Sequence, residues 1–187
     1  MVDVAGDLGE VATAEGLIPA VNAMTGHLDV LVCNHSHGGD AVELADLTAT
    51  ALDRHWAVNT RATLLLTKAF AAQHDGREGG RVIWMTSGQQ LGPMANNVAY
   101  AASKAALAGM TWSIADDLIG KGIVLNTINP GPVNTGYLDD ATELLKRFPQ
   151  RRFGEPDDPA RLIGWLVSDD GGWMVGQVLN SEGGFRR

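Results

Sequence analysis

The sequence predicts a doubly wound α/β fold, in which helices cover both faces of a parallel β-sheet. Short apolar, β-prone runs alternate along the chain with longer helical patterns, without internal repeats or a long linker. Such alternation is typical of parallel strands that are joined by helical crossovers. The chain has 187 residues, of which 45% are hydrophobic and 19% charged, and this size and composition suit one globular domain. We therefore assign residues 1–187 to a single domain.

The strands are predicted from the short apolar runs. The clearest run is Arg81–Met85, which follows a glycine-rich loop over residues 75–80 and leads into Ser87. We expect Ser87 to lie at the carboxyl end of this strand, which is the end where open α/β sheets bind ligands. The predicted strands cover residues 2–6, 28–34, 81–86, 123–128 and 176–180.

The helices fill the intervals between these strands. In the helix predicted over residues 98–120, apolar residues recur at helical spacing. They predict a stripe that faces the core, formed by Leu107, Met110, Ile114 and Leu118. The last helix begins beside Pro156, and Asp157 and Asp158 suit its first turn. The predicted helices cover residues 10–25, 48–74, 98–120, 138–147 and 157–168.

Charge and cysteine content exclude several classes of protein. A net charge of −8 argues against a surface for nucleic acid or anionic membrane. Cys33 is the only cysteine, so no internal disulfide is expected and a reducing compartment fits. The acidic N-terminus does not resemble a signal peptide, and the apolar run Ala62–Leu66 is too short to span a bilayer. We expect a cytoplasmic location.

The spacing of Ser87, Tyr100 and Lys104 points to acid–base chemistry. Lys104 follows Tyr100 by four residues, so the two side chains lie on one face of a helix, one turn apart. A phenol is a poor acid–base group at neutral pH, and a neighbouring ammonium favours its ionised form. With a serine hydroxyl to orient the substrate oxygen, these groups can move a proton to or from an alcohol.

Five further segments match motifs of one enzyme family in their order and spacing: Leu28–Asn34, Trp56–Thr60, Asn126–Thr135, Arg152–Asp158 and Gly176–Gly184. Together with Ser87, Tyr100 and Lys104, they make the chain resemble the short-chain dehydrogenase/reductase family, and in particular its 3-oxoacyl-ACP reductase-like members. The resemblance covers nearly the whole chain. It implies a Rossmann-like sheet and an oxidoreductase that transfers hydride between NAD or NADP and a small carbonyl or alcohol substrate.

The resemblance also implies a role for each matching residue. Tyr100 is the general acid or base, Ser87 orients the substrate oxygen, and Lys104 favours the phenolate and binds the nicotinamide ribose. Asn59 completes the catalytic set by holding a water that links Lys104 to solvent. The implied cofactor-binding residues are Asp7, Leu8, Asn34, Tyr100, Lys104, Pro130, Gly131, Val133 and Thr135.

The chain departs from the family at its N-terminal end. The family begins with a strand and a glycine-rich turn that holds the pyrophosphate at a helix N-terminus, and no such motif occurs here. Residues 2–8 resemble the family's third strand, so the first two strands are expected to be missing from an incomplete domain. We favour direct pairing of residues 2–6 with the strand at 28–34, and the alternative is that this segment stays loose while another chain covers the exposed edge. We expect weak cofactor binding.

Several alternatives remain open. The family's Asn-Asn-Ala-Gly motif is replaced by Cys33-Asn34-His35-Ser36, and on a continuing strand Cys33, His35 and His37 would share a face suited to a metal. We expect no metal, because no fourth ligand is evident. The alternatives to an oxidoreductase are a non-catalytic scaffold or partner subunit, or a fragment that results from a misassigned start. A nicotinamide-independent dehalogenase-like relative is disfavoured by Lys104.

Partners and substrate are expected by analogy. The helices near residues 50–72 and 98–120 form a dimer's four-helix interface in the resembled family, which implies a homodimer or homotetramer. Residues 136–153 fall where the family keeps its substrate lid, and the apolar residues that would cover a substrate are Tyr137, Leu138, Leu144, Leu145 and Phe148. The sequence does not distinguish NAD from NADP.

Overall fold

The computed structural model describes residues 2–39, 41–136 and 142–187. Within them, a parallel sheet has the strand order β1-β2-β3-β4. Its strands are β1 (Val30–Cys33), β2 (Gly80–Met85), β3 (Ile123–Asn129) and β4 (Val178–Asn180). The predicted α/β fold class is confirmed, and four of the five predicted strands lie where the sequence placed them.

Helices connect the strands and cover the sheet. The α-helices are α1 (Val11–Thr25), α2 (Ala49–His55), α3 (Ala62–Gln73), α4 (Val98–Ile119), α5 (Thr142–Leu145) and α6 (Asp157–Val167). A π-helical segment, Trp56–Arg61, joins α2 to α3, and short 3₁₀ turns occur at Leu44–Asp46, Gly88–Gln90 and Asp169–Gly171. In the described part of the chain, no helix has the length and apolar character that a membrane crossing requires.

The two faces of β2 build two apolar clusters. Because alternate residues of a strand point to opposite faces, Val82 and Trp84 pack against α1, α3 and α4, whereas Ile83 and Met85 pack against α6. The first cluster includes Phe70 and Leu107, and the predicted stripe along α4 belongs to it. Every residue of β2 and β3 is buried, which agrees with the apolar runs at residues 82–85 and 123–125.

The predicted strand at residues 2–6 is wrong. Among the described residues, that segment forms no strand, and β1 pairs with β2 alone. The segment instead ends at Asp7, whose carboxylate accepts hydrogen bonds from the Gly9 amide (2.7 Å) and from Arg54 of α2 (3.0 Å). These contacts hold the end of the segment against the helical layer. β1 is therefore an edge strand, with Val30 44% and Val32 38% exposed.

The predicted helix at 48–74 is confirmed in extent but not in regularity. Its middle turn is π-helical, and the Ala62 amide donates to the Ala57 carbonyl five residues earlier. One extra residue in a turn shifts the side chains that follow it, and such insertions are frequent at functional sites. The predicted helix at 138–147 is seen as α5, and residues 137–141 lie outside the described residues.

Candidate active site

The candidate site lies at the carboxyl ends of the strands. Ser87 follows β2, and a cavity of about 900 Å³ in front of it is lined by Ser87, Tyr100 and the turn after β3. This is the edge at which parallel α/β sheets bind ligands, because loops from neighbouring strands converge there. The structure thus brings Ser87 and Tyr100 to one cavity.

Lys104 is held by two reciprocal bonds between α4 and β2. Its Nζ donates to the Met85 carbonyl (2.9 Å), while the Thr86 hydroxyl donates to the Lys104 carbonyl (2.8 Å). Lys104 is only 2% exposed, and burial lowers its pKa to about 8, although neighbouring Cys33 acts in the opposite direction. The side chain is therefore an ammonium that gives up its proton far more readily than an ordinary lysine.

Tyr100 lies in the first turn of α4, one turn before Lys104. The Lys104 Nζ is 5.9 Å from the centre of the Tyr100 ring, as the four-residue spacing requires. Tyr100 is half-buried, so its side chain can reach a ligand in the cavity. Ser87 is also half-buried, and within the described part of the chain its hydroxyl bonds only the Met94 sulfur, at 3.9 Å, which leaves it able to bond a ligand oxygen.

Asn59 occupies the π-helical turn and is fully buried. Its Oδ1 accepts from the His37 amide (2.6 Å) and, more weakly, from the Ser36 hydroxyl (3.4 Å). Its Nδ2 donates to the His37 carbonyl (3.0 Å) and to the Ser103 hydroxyl (2.9 Å). These four bonds use the capacity of the amide, so the Asn59 side chain ties the loop after β1 to α4.

Five of the predicted cofactor residues meet in a second cavity of about 360 Å³, beside α6. They are Asn34, Pro130, Gly131, Val133 and Thr135. Gly131 and Thr135 also line the larger cavity, so the two spaces meet at the turn after β3. Gly131 has a φ of +67°, and a Cβ there would come within 2.9 Å of Glu182, so this close turn requires glycine.

Asp7 and Leu8 do not join the other cofactor residues. Neither lines one of the two cavities. The Gly9 amide and Arg54 hold the pKa of Asp7 below its usual range, so the carboxylate already has charged and polar partners. Leu8 packs against the main apolar cluster. Their place near an adenine ring therefore stays a prediction.

The residues after β1 make separate contacts. β1 ends at Cys33, so the continuing strand that would align Cys33, His35 and His37 does not form. Burial raises the pKa of the Cys33 thiol to about 12. His35 contacts the Thr63 hydroxyl at 3.3 Å, and the His37 ring lies 4.7 Å from the His55 ring. No group of three or more metal-binding side chains occurs among the residues that the structure describes.

One wall of the larger cavity was not predicted from the sequence. Arg147, Glu182, Phe185 and Arg187 line it together with Ser87 and Tyr100. The chain after β4 folds back so that Arg187 contacts Gly88 and Gly92, whose missing side chains leave room for it. No local pattern signals this wall, because its parts are distant in sequence. The only hint is the pair of opposite charges at Glu182 and Arg187.

Comparisons with known proteins agree on one family. The family profile described as "Enoyl-(Acyl carrier protein) reductase" matches residues 1–186. An uncharacterized oxidoreductase, YjdA of Bacillus subtilis, is 38% identical over 97% of this chain and 73% of its own length. The (2S)-[(R)-hydroxy(phenyl)methyl]succinyl-CoA dehydrogenase subunit BbsD of Thauera aromatica is 33% identical over 95% of this chain and 73% of its own length.

Solved structures show the same similarity. A short-chain dehydrogenase from Burkholderia cenocepacia in complex with NADP has a TM-score of 0.87 and 33% identity, covering 97% of this chain and 75% of that one. A blue fluorescent protein from a metagenomic library in complex with NADPH has a TM-score of 0.87 and 31% identity, covering 97% and 74%. The chain therefore spans about three-quarters of these relatives' length.

Proposed function

The chain belongs to the short-chain dehydrogenase/reductase family, and we propose that it interconverts a carbonyl compound and an alcohol with NAD(H) or NADP(H). The observation that carries this proposal is that Ser87 and Tyr100 line one cavity while Lys104 lies buried beside the Tyr100 ring. This is the arrangement that proton transfer to a substrate oxygen requires: an acid, an orienting hydroxyl and a buried cation.

The proton passes between Tyr100 and the substrate oxygen. Ser87 holds that oxygen by a hydrogen bond, because the Met94 sulfur, a weak acceptor, is the one partner of its hydroxyl among the described residues. Lys104 favours the phenolate that remains after Tyr100 has given up its proton. Since its own pKa is about 8, Lys104 can also return a proton to Tyr100 near neutral pH.

Asn59 acts in this scheme mainly by position. Its side-chain amide is already committed to Ser36, His37 and Ser103, so a water relay at this residue uses the main-chain carbonyl oxygen instead. That carbonyl accepts the Thr63 hydroxyl at 2.8 Å.

The second cavity fits the nicotinamide end of a cofactor. Its lining combines the apolar side of α6 with the backbone of the close turn at Gly131, and Asn34 stands exposed beside it. When bound, the cofactor supplies or accepts the hydride. Lys104 would bind its ribose, and Pro130, Gly131 and Val133 would hold the carboxamide, with Thr135 toward the diphosphate.

We expect the 187-residue chain to bind either cofactor weakly. The sequence contains no glycine-rich turn between a strand and a helix, which is the usual cradle for a dinucleotide diphosphate. Asp7, the residue assigned to the adenosine end, is bound to Arg54. A calorimetric titration with NADH and NADPH tests this expectation, and a micromolar dissociation constant would contradict it.

The experiment that tests the function is carbonyl-dependent oxidation of NADPH and NADH, both at millimolar concentration, with a panel of ketones and aldehydes. Removal of a positioned acid typically lowers the rate by about 10²–10⁴-fold. We therefore expect Tyr100→Phe and Ser87→Ala to lose most activity. Ser113→Ala is the matched control, because Ser113 lies exposed on α4. Equal rates for Tyr100→Phe and the unsubstituted chain would refute the proposed role.

We also propose that the partner of this chain is a second copy of itself. The outer face of α4 exposes Trp112 (68%) and Ile119 (44%), and the small residues Ala105 and Gly109 precede Trp112 on the same face. A large apolar side chain beside small residues suits close helix–helix packing. In the resembled family this helix lies in the dimer interface, which supports the choice of partner.

A further inference from the structure

One wall of the larger cavity carries two arginines on one aromatic ring. The guanidinium carbon of Arg147 is 5.0 Å from the centre of the Phe185 ring, and that of Arg187 is 5.4 Å from it. All three residues line the cavity that also contains Ser87 and Tyr100. A substrate held by Ser87 and Tyr100 therefore lies in the same space as two cationic side chains.

Arg187 is already neutralised. Its two terminal nitrogens bond the two carboxylate oxygens of Glu182, one at 2.8 Å and the other more closely. Glu182 also accepts from Asn129 at 2.8 Å, and its side chain is only 7% exposed. Burial would raise the pKa of Glu182, but the bonds from Arg187 and Asn129 outweigh it and hold that pKa below its usual range. This pair fixes the wall without adding net charge.

Arg147 is held in place but has no carboxylate partner. Its Nε donates to the Arg186 carbonyl at 2.7 Å, and the Arg186 amide donates to the Arg147 carbonyl at 2.9 Å. No carboxylate lies within ion-pair distance of Arg147 in the part of the chain that the structure describes. The two terminal nitrogens of a guanidinium form a planar fork that matches a carboxylate.

The other side chains of the described cavity wall are uncharged, so among these side chains Arg147 carries the positive charge that has no opposite partner. That local charge occurs in a chain with a net charge of −8, which would otherwise repel anions. Because ring stacking and the Nε bond already order the side chain, a ligand that binds its fork pays little further entropy.

We infer that the substrate of this site carries a carboxylate, which Arg147 binds while Ser87 and Tyr100 hold the reacting carbonyl. The inference rests on the proposed function, because it names the substrate class of the same site. A phosphate of the cofactor is the other possible source of an anion, and kinetics separates the two: loss of a substrate contact raises the KM of the substrate and leaves the KM of the cofactor unchanged.

The test in turnover compares acetoacetate with acetoacetamide, which have similar size and differ in charge. Charge-assisted hydrogen bonds are worth about 1.5–3 kcal/mol, so we expect Arg147→Gln to lower kcat/KM for acetoacetate by about 10–100-fold. The value for acetoacetamide should change by less than about twofold. Arg77→Gln is the matched control, since Arg77 pairs with Asp75 before β2, at the opposite end of the strands. Equal effects on both substrates, or an effect on the cofactor KM alone, would overturn the inference.

A second test needs no turnover. Ligand-observed NMR measures binding of butanoate and butanamide to the unsubstituted chain, to Arg147→Gln and to Arg77→Gln. The inference predicts that butanoate binds more tightly than butanamide and that Arg147→Gln alone abolishes this preference. Such a result in a chain without activity would refute the proposed function and leave the anion site standing. Equal binding of the two ligands would refute the anion site, whatever the activity.

Discussion

Replacement of Lys104 by methionine tests the electrostatics of the site through protein stability. Lys104 is 2% exposed, and burial lowers its pKa from the ordinary 10.5 to about 8. At neutral pH, that difference means that burial of the Lys104 ammonium destabilises the folded protein by about 3 kcal/mol. Methionine has a similar length and no charge, so Lys104→Met removes the penalty together with the bond to the Met85 carbonyl.

The sign of the pH dependence follows from the proton count. The unfolded chain keeps the lysine protonated to about pH 10.4, whereas the folded chain releases that proton near pH 8. Between these values the unfolded state binds more protons, so the free energy of unfolding rises with pH. From pH 7 to pH 9.5 we expect the unsubstituted chain to gain about 2 kcal/mol relative to Lys104→Met.

The assay is urea unfolding of both proteins at several pH values in that range. Subtraction of the two curves removes every other titrating group and the constant cost of the lost Met85 bond. Lys121→Met serves as the control for the loss of an exposed lysine, because Lys121 is exposed just after α4. A difference between the unsubstituted chain and Lys104→Met that stays within about 0.5 kcal/mol across the range would refute the reasoning. It would mean that water reaches the ammonium.

Three further predictions concern the cavity wall, the core and the outer face. The lowered pKa of Glu182 stabilises the folded protein above pH ~4.3, and this stability is lost as the pH falls through the pKa of the folded state. Glu182→Gln, which also weakens the Arg187 pair, should therefore show a free energy of unfolding that depends less steeply on pH below pH 5. Thr67→Val removes the acceptor of the buried Trp84 indole (2.9 Å) and should cost about 1–3 kcal/mol in urea unfolding, and a neutral result would contradict the assigned bond. Trp112→Asp should convert the dimer into a monomer in sedimentation velocity, and an unchanged profile would exclude the outer face of α4 as the dimer interface.

Much of the fold follows from local patterns in the sequence. β2 and β3 are buried on both faces, and the apolar runs at residues 82–85 and 123–125 indicated both strands. The segment at residues 2–6 shows the limit of such reasoning, because Val2 and Val4 look strand-like but are 52% and 37% exposed. A strand needs a partner, and the pattern of one segment does not show whether a partner is available.

The site was only partly predictable for a similar reason. Tyr100 and Lys104 are one helical turn apart, so their proximity follows from spacing alone. The π-helical turn at Asn59 depends on one residue that breaks the regular bonding, which hydrophobic periodicity does not register. Arg147 and Phe185 meet only because the chain after β4 folds back over the cavity.

The most direct test of the central claim is transfer of deuterium. The chain is incubated with a carbonyl substrate and millimolar NADPH or NADH that carries deuterium at the transferable position, and the product is analysed by mass spectrometry. The account predicts an alcohol with one deuterium on the former carbonyl carbon, formed at least about 100-fold more slowly by Tyr100→Phe. Absence of deuterated alcohol across the substrate panel, or equal formation by Tyr100→Phe, would contradict it.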